Sequence, residues 1–209
     1  MLKRTILFAT NNHDKYLDMA LVFGRVGIEL KQVPLVNVKE GKKDILENAR
    51  TKALSTAKNF PNRVVVASDG GVLIPYLGKN WNYVLTKRLG GLDMKETLSE
   101  RNRAEKLLEL LKNAKGKQRR VIWRGSVVVV KDDQVLWEFI ATGGDGYILD
   151  YIPNDFMETG FWLGYIWYEP EAKTTYMNIP YKDRYQYSLF KQKMLQKLKE
   201  VDLDGWFRE

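Results

Sequence analysis

No cysteine occurs in the 209 residues, which excludes a disulfide framework and all thiol chemistry. A single histidine, His13, excludes metal sites built from several imidazoles, while a hard cation held by carboxylates stays open. No apolar run is long enough to span a bilayer. The opening Met1-Leu2-Lys3-Arg4-Thr5 leads into an apolar stretch too short for a signal peptide, so the chain reads as cytosolic, with no membrane partner. Internal repeats, low-complexity tracts and a convincing linker are also lacking. Acidic residues are the minority sign: 26 Asp and Glu stand against 34 Lys and Arg, a net charge of +8. That excess suits an anionic partner, whether a nucleic acid or a nucleotide, or simply a soluble basic surface.

Apolar residues, at 44% with six Trp and eleven Tyr, suffice for a large core. The length fits one domain spanning residues 1–209, or two tightly joined lobes. Ile6 to Ala9 is a short apolar run of the kind that makes a buried strand. Thr10 to Asp14 breaks it with small polar residues, and a helical pattern follows with Leu17, Ala20 and Leu21 on one face and Gly24 as a stop. Strand, polar turn and helix can present free backbone N–H groups and the positive helix end at one spot, a cradle for phosphate. Lys15 in the first helical turn adds a full charge. Thr10, Asn11 and Asn12 are turn residues of this cradle; in the plainer reading the Asn and Asp residues of an ordinary βα unit simply cap the helix.

Glu29 to Pro34 alternates like a strand, and Asn37 to Lys43 is a polar loop containing Glu40 and Gly41. Asp44 to Glu47 has the form of a capping box. Ala49, Ala53 and Ala57 would pack a helix closely on a sheet, with Lys52 on a different face. Val64 to Ala67 is a second buried strand that runs into Ser68-Asp69-Gly70-Gly71. A carboxylate at a strand end before two glycines is expected at a sheet edge, with backbone open to a ligand. Arg88 to Lys95 reads as a loop and Arg101 to Lys112 as an amphipathic helix with Leu107, Leu108 and Leu111 inside. The basic tract 112–120 reads as a solvated loop. Val121–Val130 and Gln134–Ala141 form a hairpin about Lys131-Asp132-Asp133; Gly143–Gly146 is a loop and Tyr147-Ile148 a short strand. A densely aromatic stretch, Phe161 to Tyr168, precedes a basic helix over about Tyr187–Val201, with Phe190, Met194, Leu198 and Val201 on its apolar face.

Lys15, Glu40, Lys52 and Asp69 form the chemical constellation. Two carboxylates can hold Mg²⁺ while two lysines neutralise a polyphosphate. The order Ala9-Thr10-Asn11-Asn12-x-x-Lys15, Glu40, Glu47-Asn48-Ala49-x-x-Lys52-Ala53, Ser68-Asp69-Gly70-Gly71, Phe161 to Pro170 and Thr175 to Pro180 resembles the inosine triphosphate pyrophosphatase family across nearly the whole chain. The resemblance implies an α/β fold: an elongated, twisted mixed sheet with flanking helices, in two lobes with a central cleft. It implies a homodimeric enzyme that hydrolyses a nucleoside triphosphate to the monophosphate and pyrophosphate. Mg²⁺ would be the cofactor, bound by Glu40 and Asp69, with Asp69 helping to activate water for attack at the α-phosphorus. Lys15 and Lys52 would hold phosphates. Phe161 would stack on the base, and Trp162, Gly70, Arg184 and Ser188 fall at substrate-contacting positions. Lys87 and Arg88 are further candidates for a phosphate contact.

Departures from the family pattern gather on one side. Its Ser-His-Arg, which reads the purine 6-keto group, is Ser188-Leu189-Phe190 here; its preceding lysine is Arg184; its Asp after the aromatic segment is Gly164; and Asp-Asp-Ser-Gly is Ser68-Asp69-Gly70-Gly71. Phosphate and metal residues are kept while base-reading donors are lost, which implies the same triphosphate chemistry on a different, modified or non-canonical, base. Ser68 and the missing donors motivate a second reading, a catalytically silent nucleotide-binding relative. A nucleic-acid-binding protein is a third reading, disfavoured because the positive charge is scattered.

Overall fold

The apolar run before Thr10 forms β1 (Arg4–Ala9), with Ile6, Leu7, Phe8 and Ala9 all buried. A computed structural model describes residues 4–35, 38, 41 and 44–208. The polar turn then starts α1 (His13–Gly24), which crosses over to β2 (Ile28–Val33), parallel to β1 with Arg4 opposite Ile28 and Ala9 opposite Val33. The buried set on α1 is Met19, Val22 and Phe23. Leu17, Ala20 and Leu21, the expected inner face, are only half-buried. Both triplets satisfy the helical period, and packing chooses between them.

Helix α2 (Ile45–Ala57) starts at Asp44, whose Oδ1 accepts from the N–H of Leu46 at 2.7 Å and of Glu47 at 3.4 Å. The expected box forms by half, because the Glu47 carboxylate pairs with Arg50. Ala49, Ala53 and Ala57 are buried as the spacing requires. They pack with Leu7, Ala9, Val65, Ala67, Val128 and Val130, a contact that small side chains permit.

Strand β3 (Val64–Leu73) is parallel to β1. It is followed by α3 (Glu100–Leu110), β4 (Arg120–Lys131), β5 (Gln134–Ile148), β6 (Trp167–Glu169), β7 (Thr174–Thr175) and α4 (Leu189–Leu198). The strands make one mixed seven-stranded sheet in the order β2-β1-β3-β4-β5-β6-β7, with β5/β6 and β6/β7 antiparallel. The expected mixed sheet with flanking helices is therefore present.

Two strands run further than the sequence suggests, each through glycines that look like breaks. β3 continues through Asp69-Gly70-Gly71 and lies inside the sheet rather than at an edge. At Gly71 a Cβ would lie 1.8 Å from the Tyr83 carbonyl oxygen, so this glycine serves a close backbone approach. β5 absorbs the expected loop Gly143–Gly146; a Cβ at Gly146 would lie 2.1 Å from Trp167 Nε1.

The chain divides into two compact units. The first comprises residues up to Gly70 with Gly125–Ala141 and Leu189 onward; the second comprises Gly71–Arg124 and Thr142–Ser188. The first contains the alanine-rich core just described. Phe190 of α4 packs there on Phe139, with ring centroids 5.4 Å apart, and Lys191 pairs with Asp18 at 2.6 Å.

The second unit has its own core, which includes Val72, Trp81, Leu89, Leu107, Leu111, Trp162, Leu163 and Trp167. Leu107 and Leu111 line it as α3's pattern requires. Arg119, from the tract read as solvated loop, is instead buried and donates to the carbonyls of Leu111, Ile148 and Leu149. Asp93 and Arg103 form a buried pair at 2.9 Å. Burial works to raise the Asp93 carboxyl, but the Arg103 guanidinium and the N–H groups of Thr97 and Leu98 outweigh it and hold it low.

Glu169 in β6 is 6% exposed. Burial, helped by the charges of Glu171 and Asp145, pushes its carboxyl up to about 7. The folded state thus holds this proton more tightly than the unfolded chain does. Its contribution to stability is complete below the ordinary carboxylate range and is lost as pH rises through about 7. Glu169→Gln should therefore raise Tm at pH 8.5 by roughly 3–6 °C, an effect of about 1–2 kcal/mol, and leave Tm unchanged at pH 4. Thermal melts at the two pH values check this; an equal shift at both would rule out ionisation as the cause.

Candidate active site

Two polar groups stand out in the first unit, one where β1 runs into α1 and one where α2 packs beside β3. Thr10 leaves β1 with its N–H on the Val33 carbonyl at 3.1 Å, and its Oγ1 accepts from the Asn12 N–H at 3.1 Å. Asn12 is the N-cap of α1, its Oδ1 accepting from the Lys15 N–H at 3.0 Å. The Asn11 Oδ1 accepts from the Leu35 N–H at 3.0 Å. Asn12 therefore caps α1, as the plainer reading has it, with half-buried Lys15 in the first turn, while Asn11 ties the turn to the chain after β2.

Helix α2 presents Asn48 and Lys52, one turn apart and both buried, beside the alanine stripe. Lys52 Nζ donates to Asp69 Oδ1 at 3.1 Å, with side chains only 6% and 10% exposed. Asn48 Nδ2 donates to Asp69 Oδ2 at 2.9 Å. Both oxygens of one carboxylate are thus engaged by one helix. An ammonium and a carboxylate taken this far from water are tolerated only when paired and hydrogen-bonded. From β4, Ser126 Oγ lies 2.8 Å from the Ile45 carbonyl and 3.3 Å from that of Asp69, joining the first turn of α2 to β3.

Of the expected site residues, the structure joins Lys52 and Asp69 directly. Gly70 follows in β3, half-buried. Glu40 lies outside the described residues, though Gly41, next to it in sequence, is held by Asn48. Asn48 is the residue that sequence reasoning passed over. Its spacing of four from Lys52, both polar beside an alanine stripe, was the available signal.

In the second unit, Phe161 stands edge-on between Trp123 and Tyr176, with centroids 6.2 and 5.9 Å away. Its ring lies over Gly164, where a Cβ would meet Phe161 Cδ1 at 2.7 Å. Trp162 is 2% exposed in the core. Arg184 is buried, stacks on the Tyr176 and Tyr181 rings, and donates to the Ile179 and Met177 carbonyls. Ser188 is half-buried, with its N–H on the Tyr185 carbonyl at 3.2 Å. Lys87 and Arg88 both pair with Glu96, at 3.1 and 2.9 Å.

Asp69 offers hard oxygen donors. Among the described residues no cluster of three or more His, Cys, Asp or Glu side chains forms. A carboxylate of this kind suits a hard divalent cation such as Mg²⁺, which takes one or two carboxylates and completes its shell with water and substrate phosphate.

A protein from Streptococcus mutans named as a dITP/XTP pyrophosphatase is 32% identical over 156 residues, which is 72% of this chain and 45% of that protein's length. One of the same name from Caldanaerobacter subterraneus is 26% identical, covering 95% of this chain and 96% of the relative. Among solved structures, a HAM1 protein from Coxiella burnetii superposes with a TM-score of 0.71 at 20% identity, over 95% of this chain and 100% of that one. The Staphylococcus aureus Ham1 protein gives 0.65 at 23%, over 94% and 98%. These likenesses confirm the expected mixed sheet with flanking helices, and with the Ham1 family profile matching residues 6–201, the chain belongs to the Ham1 family.

Proposed function

We propose that the protein hydrolyses a nucleoside triphosphate to the nucleoside monophosphate and pyrophosphate, as the names of its relatives indicate for them. The buried Asp69–Lys52 pair, doubly anchored by α2, is the observation that carries the reading. Lys52 and Lys15 neutralise phosphate charge. Asp69 orients the attacking water and takes up its proton. The water oxygen bonds to the α-phosphorus as the bond from that phosphorus to the bridging oxygen breaks, and pyrophosphate leaves. Glu40 and Asp69 would hold a divalent cation, which when bound offsets phosphate charge and makes water a better nucleophile near neutral pH. Phe161 stacks on the base. A two-copy assembly and a cytosolic setting belong to the same reading.

Base choice differs from that of inosine triphosphate pyrophosphatases. Phe190, where those enzymes have arginine, is 4% exposed against Phe139, and Leu189, where they have histidine, is apolar. Neither can offset the desolvation of a purine keto oxygen. A panel of ordinary and modified nucleoside triphosphates with Mg²⁺, assayed for pyrophosphate, tests both points. Inosine triphosphate should give a kcat/KM roughly 100-fold or more below that of the best nucleotide. Efficient inosine triphosphate turnover overturns the altered base choice, and tight binding without turnover across the panel overturns the enzyme in favour of a silent nucleotide-binding relative.

A further inference from the structure

The Asn48 carboxamide makes more than one bond at the candidate site. Beyond its donation to Asp69 Oδ2 at 2.9 Å, Nδ2 lies 3.2 Å from the Gly41 carbonyl and Oδ1 accepts from the Gly41 N–H at 2.7 Å. Both backbone groups of Gly41 are therefore held by one side chain, and that side chain is 4% exposed. Its Cα is fixed in turn, since the Asn48 N–H donates to the Asp44 carbonyl at 3.2 Å within the first turn of α2. A carboxamide suits such a bridge because it donates and accepts in one plane. It can close a ring with a single residue's backbone and keep a second N–H for a carboxylate. A carboxylate at position 48 could accept from Gly41 but donate to nothing, and a hydrocarbon could do neither.

We propose that Asn48 is a positioning residue that ties the Gly41 backbone to the Asp69 carboxylate, holds that carboxylate in place and so sets its affinity for a divalent cation. The inference rests on the proposed function only in taking Asp69 as a cation ligand. Groups that orient a ligand from behind are worth roughly 10- to 100-fold in metal affinity when removed.

The test uses the full chain with Mn²⁺ alone, free ion being read by electron paramagnetic resonance, for wild type, Asn48→Ala and Asp69→Asn. Tm is measured on the same samples without metal. Wild type should bind Mn²⁺, Asp69→Asn should not, and Asn48→Ala should bind at least about tenfold more weakly while keeping a cooperative melt. At saturating Mn²⁺ the Asn48→Ala enzyme should recover kcat to within roughly threefold of wild type, because the clamp acts through the metal requirement. A residue that only supports the fold would lower Tm and kcat at every Mn²⁺ concentration and leave the Mn²⁺ affinity of the folded fraction unchanged; that result overturns the proposal. If Asn48→Ala fails to fold, Asn48→Asp keeps the shape, and weaker Mn²⁺ binding in spite of its added charge supports the clamp, whereas equal or tighter binding refutes it. Wild type that binds no Mn²⁺ refutes it too. Wild type that binds Mn²⁺ through Asp69 yet releases no pyrophosphate sinks the proposed function and leaves the clamp standing.

Discussion

Replacing Asp69 by Asn should lower pyrophosphate release by at least about 1,000-fold for every nucleotide the wild type turns over. The substitution is nearly isosteric, so the loss comes from charge and from hydrogen-bond direction. Lys52 and Asn48 each point a donor at the carboxylate, from 3.1 and 2.9 Å. An amide can accept from only one of them, and its own NH₂ must then face the other. Lys52, buried at 5% exposure, also loses the negative charge 3.1 Å from its ammonium, so Tm should fall as well. A pyrophosphate assay at saturating Mg²⁺, with circular dichroism to confirm folding, decides the matter. A folded variant retaining more than a tenth of wild-type kcat would show that Asp69 is not the group that handles the water.

The largest effect on stability should come from Gly71→Ala, a change of one methyl group. The atom nearest the new Cβ would be a backbone oxygen, that of Tyr83, at 1.8 Å, with its carbonyl carbon at 2.7 Å. Backbone cannot step aside by rotamer change. This carbonyl also accepts from Thr86 Oγ1 at 2.7 Å, and the same Oγ1 accepts from the Val72 N–H at 2.8 Å. Moving Tyr83 therefore breaks a buried hydrogen-bonded chain next to β3. The cost should be about 3–5 kcal/mol, a fall in Tm of roughly 6–20 °C. Gly24→Ala is the matched control, since nothing lies within 4 Å of a Cβ there, and it should be neutral. A Tm within 2 °C of wild type for Gly71→Ala, by differential scanning fluorimetry and roughly within the error of that method, would mean the 83–86 turn can move.

Elements whose signals are local are legible in the sequence. β1 and β2 announce themselves by apolar run and alternation, and α2 by Asp44 and its alanine stripe. Lys52 and Asp69 were legible as charges next to buried segments, and their meeting follows from α2 packing on the sheet. What escaped reading depends on partners far along the chain. The glycines of β3 and β5 look like breaks until Tyr83 and Trp167 are seen occupying the space a side chain would need. Arg119 looks like one more charge in a basic tract until the carbonyls of Leu111, Ile148 and Leu149 surround it. Asn48 looks like a neutral helix residue until Gly41 folds back onto it.

The packing of Phe190 against Phe139 bears on what a substitution at this position can achieve. An arginine at position 190 would bring five N–H donors to a site that is 4% exposed and faces an aromatic ring. Introduced alone, it would leave a buried guanidinium in α4, so its cost should fall on folding before it could offer a donor to a nucleotide. Exchanging Phe139 in the same chain should make room for the new donors, and a screen of lone substitutions at 190 should return destabilised chains in place of new base preferences.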